Sequence, residues 1–586
     1  MVEIKLWAPS AKTAHAVIVD PLPEQLSGRL DQPLSDEALA GCQRLEMHKS
    51  GENFTISLPA DTNYLLSIDD GSPRPDPRSA AQPWGVHGPS RTFDAGAYRW
   101  RTPQASHNVL GDVIYELHIG TFTSEGTLDS AIERLGHLKN LGVKTIELMP
   151  VSPFPGKRGW GYDGVYWYGV QESYGGPEAL QRFVDAAHAQ DLAVCLDVVY
   201  NHFGPAGNYA PTFAPFFTKK HTTPWGDAIN LDDEGCEGVR KFIVEAALRW
   251  LRDFRIDALR LDAVHALIDD SPVHILAELS EKVDELEAEL GLKKTLIAES
   301  DMNQPRMVLP VADGGLGIDG QWDDDIHHAL HSYLTGETFG YYIDFGAPET
   351  LAKALEQVFV HDGCYSTFRK QNWGAPVPET LSRKRFVIST QNHDQVGNRG
   401  QGDRPEERLP QGLQAASAAI LLLSPFTPML FQGQEWATKG RFQFFTDHDA
   451  SLGKDVSEGR MEEFGAHGWE EIYGENPWVP DPQSPETFEA STLDWDESRR
   501  GRHAEMLQWY KELILLRGEL TDEQIKCDWG NGWFRMKSGG LTVVVNSDGE
   551  PDLIDQKPSE ILASWGEVSY DDVRLKLGKD SVAILH

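Results

Sequence analysis

The sequence predicts an α/β chain: a closed (β/α)8 TIM barrel with an N-terminal β-sandwich domain and a C-terminal antiparallel β domain. Three observations predict it. Eight short apolar runs recur between residues 113 and 431, with helical stretches between most of them. Ahead of them, residues 1–100 read as short β segments bounded by turn residues. Beyond residue 526 the chain returns to alternating apolar and polar residues without helical periodicity.

Taken in order, β segments are predicted at 4–7, 14–19, 53–57 and 64–68. A Pro/Gly-rich stretch at 72–90 (SPRPDPRSAAQPWGVHGPS) reads as a loop leading into the next domain. Barrel strands are predicted at 113–117, 145–149, 193–199, 258–261, 296–298, 318–322, 385–389 and 429–431, and helices at 128–141, 177–190, 238–254 and 271–290. A Pro-rich stretch at 476–485 precedes a helix at 504–516, and the tail offers strands at 532–536, 541–545 and 581–585. The division is 1–100 for the N-terminal β-sandwich, 101–500 for the catalytic barrel with insertions, and 501–586 for the C-terminal β domain.

The chain has 586 residues, with 53 Lys plus Arg against 90 Asp plus Glu and a net charge of −37. Such a balance argues against nucleic acid, which needs a basic patch, and against an anionic membrane surface. The longest apolar run, 415–431, is interrupted by Pro425 and Pro428 and reads as a buried helix running into a buried strand rather than a membrane span. No 7–15-residue apolar core follows the start MVEIKLWAPS, and the five cysteines are odd in number and scattered, so a reducing cytoplasm is expected.

In a barrel enzyme the working residues sit at the carboxyl ends of strands. The third strand runs into LDVVYNH, giving Asp197 and His202. The fourth runs into ALRLDAVH, giving Arg260, Asp262 and His265. The fifth ends in IAES with Glu299, and the seventh is followed by TQNHDQ with His393 and Asp394. Carboxylates gathered on one rim shift one another's proton affinity, so one can act as an acid while another stays ionised. Glycosidic bond cleavage needs that division of labour. Arg260 lies two residues before Asp262, so both point the same way. His202 and His393 can donate to sugar hydroxyls, and Tyr162, in GWGYDG, offers a face for a sugar ring.

DVVYNH, RLDAVH, IAES and QNHD resemble, in order and spacing, the four short motifs of the α-amylase family of glycoside hydrolases. The resemblance covers nearly the whole chain, including an immunoglobulin-like N-terminal sandwich. It implies Asp262 as nucleophile, Glu299 as general acid/base and Asp394 as the group that holds sugar hydroxyls and stabilises the distorted transition state. Arg260, His202 and His393 would support the subsite where cleavage occurs. Asp197 would touch substrate or brace the site, and His265 would sit at the leaving-group subsite. Narrower segments, among them YELHIGTFTSEGT (115–127), TPWGDAINLD (223–232) and FFTDHD (444–449), resemble trehalose-releasing members of the family. That likeness implies maltooligosyltrehalose and related α-glucans as substrates, cut at the α-1,4 bond next to the terminal trehalose, and action after a maltooligosyltrehalose-forming synthase. Loops at 225–232, 340–345 and 444–449 are expected to shape the pocket for the trehalose end.

Alternatives stay open at this point. A glucan branching or debranching enzyme of the same family also carries a sandwich before its barrel. A catalytically dead barrel should lack one of the three carboxylates or Arg260, and all four are present. Gln434 stands in FQGQEW where the family pattern has a second acid. The insertion after His202 is short and poor in carboxylates, so no structural calcium, no other metal and no cofactor are expected. HHALH (327–331) puts two histidines on one helix face but brings no third ligand, and reads as a polar face near the sugar site. Gly315, Gly317 and Gly320 fit GxGxxG but follow no strand, so a dinucleotide site is rejected.

Overall fold

A computed structural model describes residues 1–20, 30–464, 470–474, 478–548, 552–556, 559–571 and 573–586. Residues 476 and 477, at the head of the Pro-rich stretch, lie outside the described residues.

At the N-terminus two antiparallel sheets face each other. One holds Val2–Trp7, Asn53–Leu58 and His48–Ser50; the other holds Gln43–Glu46, Ala14–Ile18, Asn63–Ile68 and Ser90–Arg91. Alternation along the strands sends Ile4, Leu6 and Phe54 of one sheet and Ala16 and Leu66 of the other into a shared core. The Pro/Gly-rich stretch is therefore more than a lead-in. It returns the chain to this sandwich, and Ser90–Arg91 pairs with Asn63–Ile68.

The barrel closes from eight parallel strands: Ile114–Leu117, Thr145–Leu148, Ala193–Val198, Ala258–Leu261, Thr295–Ala298, Gly320–Trp322, Phe386–Ser389 and Thr427–Phe431. Every strand read from the sequence is present, including the three-residue sixth. Residues such as Leu117, Ile146, Leu196 and Leu259 point outward into the large core shared with the helices. Their neighbours point inward, where Ile114, Ala193, Cys195, Ala258, Ile297, Val387 and Met429 form a separate small core. Two residues further along their strands come Glu116, Asp197 and Arg260, so the barrel lumen turns from apolar to charged toward its carboxyl end.

The helix expected at 128–141 is two, Leu128–Ile132 and Leu135–Leu141. The turn tightens at Glu133, whose N–H reaches back to Ser130 O at 3.2 Å. The apolar run at 415–431 divides into Gln411–Leu422 and Thr427–Phe431, a buried helix and a buried strand. Gly501–Arg517 packs on the barrel helices: Trp509 Nε1 donates to Ala415 O at 3.0 Å, and Arg517 donates to Leu422 O and Ser424 O, both at 2.7 Å. Beyond it stand a five-stranded antiparallel sheet, Ile525–Trp529, Trp533–Ser538, Leu541–Asn546, Val582–Leu585 and Ile561–Trp565, and a three-stranded one. Among the described residues no helix is long and apolar enough to cross a membrane.

Candidate active site

Arg260 organises the barrel mouth. It is fully buried, and its guanidinium lies over the Trp322 ring at 4.3 Å. Nη1 donates to both Asp197 oxygens at 3.0 and 2.9 Å and to Asp262 Oδ1 at 2.6 Å, while Nη2 lies 3.6 Å from Glu299 Oε2. One cation from the fourth strand thus touches carboxylates delivered by the third, fourth and fifth. The parallel register explains how: Asp197 sits opposite Arg260. Asp262 is held from its other side by Asn201 Nδ2, which donates to Oδ2 at 2.7 Å. The next residue, Ala263, has φ +38°, a strained left-handed turn for a residue with a Cβ. That turn aims its N–H at Glu299 Oε2.

A second branch enters from the seventh strand. His393 Nδ1 pairs with Glu116 Oε1 at 2.5 Å, and its backbone N–H donates to Glu116 Oε2 at 2.9 Å. Its Nε2 meets Tyr162 Oη at 2.7 Å, and Tyr162 Oη donates to Asp197 Oδ2 at 2.6 Å. The two branches therefore join at Asp197. The sequence reading offered the Tyr162 ring to a sugar, but one face is stacked on His393, with centroids 5.1 Å apart. Tyr162 is aimed by Gly161, at φ +103°, where a Cβ would come 2.2 Å from Pro150 O. His202 is fixed by Tyr162 O at 3.0 Å and by Asn201 Oδ1, and the half-exposed Trp225 stacks flat on its ring at 4.5 Å.

The protonation pattern follows from these contacts. Burial, joined by the charges of Asp262 and Asp394 and opposed by Arg260, raises the Glu299 carboxyl above its ordinary value. Burial alone would raise Asp394 too, but the neighbouring His393 overrides it and holds the carboxyl down at about 2. Asp197 is pushed up to about 7, by burial first and by Asp262, against the pull of Arg260. Burial would push the His393 imidazole down, yet Asp394 and Glu116 keep it well above its ordinary range. Two raised acids, one depressed carboxylate and one imidazolium thus share the mouth.

Of the residues chosen from sequence, Tyr162, Asp197, His202, Arg260, Asp262, Glu299, His393 and Asp394 meet in this network. His265 stands at its edge, one-third exposed, with Nδ1 3.8 Å from Asp301 Oδ1. A cavity of about 740 Å³ opens on the Glu299 side, lined by Glu299, Asp324, His328, Tyr341, Asp394 and Arg460 among others. Of the three loops chosen from sequence, 340–345 and 444–449 reach this cavity through Tyr341 and Phe444, whereas 225–232 meets the site through Trp225 on His202, outside the cavity's lining. The HHALH face proves mixed. His328 lines the cavity, whereas His327 and His331 are buried and stacked, His331 against Tyr342 at 4.9 Å. Gln434 and Glu435 are both buried away from the mouth, Gln434 on Thr390 and Tyr510, Glu435 on Tyr115 and His137.

Glu116, Glu147 and Asp324 were missed. For the first two the signal was there: a glutamate inside an apolar barrel strand (IYEL, TIEL) must point into the lumen. Two groups of the described residues have the spacing of cation ligands, His107 with His188 and Asp257, and His221 with Asp232 and Asp270. In each a lysine ammonium already supplies positive charge, Lys294 Nζ at 3.9 Å from Asp257 and Lys220 Nζ at 2.8 Å from Asp232.

Residues 91–214 match the family described as alpha amylase, catalytic domain. A malto-oligosyltrehalose trehalohydrolase from Arthrobacter ramosus is 46% identical, covering 99% of this chain and 98% of the relative. One from Saccharolobus solfataricus is 44% identical over 84% of each. A crystal structure from Salmonella typhimurium, assigned to the alpha amylases, superposes with a TM-score of 0.87 at 34% identity, covering 100% of this chain and 97% of that one. At such identity over nearly the full length of both chains, this protein belongs to the malto-oligosyltrehalose trehalohydrolase family, a branch of the α-amylases.

Proposed function

We propose that the chain is a retaining glycoside hydrolase that cuts the α-1,4 bond next to the terminal trehalose of maltooligosyltrehalose and releases trehalose. The observation that carries the chemistry is one buried guanidinium, Arg260, in reach of both Asp262 and Glu299. Two carboxyls gathered on one cation suit the close spacing, about 5–5.5 Å, of retaining enzymes. The full-length likeness to trehalohydrolases favours this substrate over a branching or debranching reaction.

In the first step Glu299, the carboxyl with raised proton affinity, gives its proton to the glycosidic oxygen. Asp262 attacks the anomeric carbon, the bond to the leaving oxygen breaks, and trehalose departs. A covalent glycosyl ester on Asp262 remains. In the second step Glu299 takes a proton from water, whose oxygen attacks the same carbon and displaces Asp262. Asp394, held ionised by His393, binds hydroxyls of the reacting sugar and favours its distorted form. His202 and His393 donate to the same sugar, while Asp197 braces Arg260 and Tyr162. His265 lies toward the leaving group. The free thiols of all five cysteines agree with a cytoplasmic setting, where the substrate would come from a maltooligosyltrehalose-forming synthase.

The test is incubation with maltotriosyltrehalose, linear amylose and a branched glucan, comparing wild type with Asp262→Asn. Free trehalose should accumulate with wild type, fall by about 10³-fold or more in the variant, and leave a glucan chain whose new end is initially α. New α-1,6 branches would establish the transferase alternative instead, and an initially β end would overturn retention.

A further inference from the structure

The segment after the sixth barrel strand carries three consecutive aspartates, and two of them are used inside the fold. Asp323 caps the helix Asp324–Thr335, accepting from Asp325 N at 3.0 Å and Ile326 N at 3.4 Å. Asp325 pins a distant loop, accepting from Asn303 Nδ2 and Val360 N at 2.8 Å and from His361 N at 3.0 Å. Asp324, between them, turns into the cavity beside Glu299. Among the described residues its carboxyl has one hydrogen-bond partner, Gln395 Nε2, at 3.4 Å.

That position is unfavourable for the resting protein. Burial, then the charges of Glu299 and Asp394, push the Asp324 carboxyl up to about 7. A helix N-terminus ordinarily favours a carboxylate, so the crowding outweighs the helix. A third acid held against two others with almost no donors of its own fits a ligand rich in hydroxyl groups, and at this proton affinity the carboxyl can both accept and donate. Its side of the mouth is also defined. Asp262, Arg260, Tyr162 and His202, which face the reacting sugar in the reading above, stay outside the cavity's lining, whereas Glu299 and Asp394, which flank the cleavage point, stand in it. The cavity therefore begins at the cleavage point and extends past Asp324 to Tyr341, Arg369 and Arg460.

We propose that Asp324 is a substrate-binding and specificity-determining residue that hydrogen-bonds hydroxyls of the leaving disaccharide on the Glu299 side of the cleavage point. This rests on the trehalose-releasing reading above. Tyr341, in the same cavity, supplies an aromatic surface beside those hydrogen bonds.

The experiment measures trehalose binding by calorimetry, with maltose as the control ligand, on wild type, Asp324→Asn and Asp324→Ala. It also measures hydrolysis of maltotriosyltrehalose against maltopentaose. Asp324→Ala should weaken trehalose binding and lower kcat/KM on the trehalose-ended substrate by about 10- to 100-fold, the loss expected for one or two hydrogen bonds to an ionisable group. Maltopentaose hydrolysis should change far less. Asp324→Asn keeps shape and relieves repulsion, so it should fold with an unchanged or higher melting temperature while still shifting the substrate ratio. Wild-type trehalose affinity and an unchanged ratio in Asp324→Asn would overturn the proposal. A wild type that releases no trehalose would instead overturn the underlying reading.

Discussion

Arg260 places Nη1 2.6 Å from Asp262 Oδ1, closer than any of its other carboxylate contacts. The same guanidinium serves Asp197 and, more loosely, Glu299, and its face rests on Trp322. A lysine ammonium lacks both the planar fork and the stacking face. Arg260→Lys should therefore lower kcat by at least about 10²-fold, because Asp262 and Glu299 lose their common anchor. The ammonium keeps the charge but not the fork that serves three carboxylates at once, so the variant should also melt at a lower temperature. Its loss of stability should be less than the about 3–5 kcal/mol that full removal of a buried partner costs. Turnover within tenfold of wild type would mean that Asn201 alone suffices to hold Asp262.

Glu116 acts on the site through His393. It accepts from both the ring and the backbone of that residue, and all of these atoms are buried. Facing the same imidazole are Asp394, Tyr162, Trp160 and Trp322, with His118, Glu147, Asp197 and Arg260 close behind. With a folded proton affinity above the unfolded one, His393 favours the native state below its unfolded value, and that benefit fades as pH rises through the folded value. Glu116→Gln keeps an acceptor but removes a negative charge, so the imidazolium should be lost at lower pH. The alkaline limb of the kcat profile should move to lower pH, with KM near neutrality changed less. An unmoved limb would reduce Glu116 to packing.

The main site was legible because each of its acids closes an apolar strand: Asp262 after ALRL, Glu299 after TLIA, Asp394 just beyond FVIS. What escaped notice depends on distant partners. Glu116 reads as one polar residue in a buried strand until His393, 277 positions away, is brought beside it. Asp324 differs from Asp323 and Asp325 only in what the fold sets against them, a helix end for one and the backbone at 360–361 for the other. The HHALH spacing correctly put two histidines on one face, but periodicity does not reveal that Tyr342 covers it. Tyr162 joins the network through its hydroxyl. Its ring stacks on His393 because the 7-strand loop, remote in sequence, arrives there first.

Gly161 aims Tyr162, and through it the link between His393 and Asp197. Its φ of +103° is one that residues with a Cβ rarely adopt, and an added Cβ would meet the Pro150 carbonyl oxygen at 2.2 Å. Backbone oxygen cannot swing aside as a flexible side chain can. Gly161→Ala should therefore destabilise the protein by more than about 1 kcal/mol and displace Tyr162 Oη from Asp197. Turnover should fall even at temperatures where the variant remains folded, whereas Tyr162→Phe should lose turnover with little change in melting temperature. Equal behaviour of the two variants would show that the hydroxyl, and not the backbone turn, accounts for the whole effect.

Glu147 presents a separate test of the charged lumen. It is wholly buried with only the weak Cys195 thiol as a donor beside it among the described residues, and burial, then Glu116 and Asp197, push it up to about 8 against the pull of Arg260. In the unfolded chain the same group titrates near about 4.3. Between those values the native state holds a proton that the unfolded chain has lost, so native stability falls as pH rises, by at most about 1.4 kcal/mol per pH unit for this one group. Glu147→Gln carries a neutral amide at every pH and removes that slope. The melting temperature of the variant should approach or match that of wild type near pH 5 and exceed it progressively toward pH 8. Asp197, raised in the same direction, remains in both proteins and enters the comparison only through its interaction with Glu147. A difference in melting temperature that stays constant from pH 5 to 8 would mean that Glu147 is ionised in the folded lumen, with Arg260 outweighing its burial.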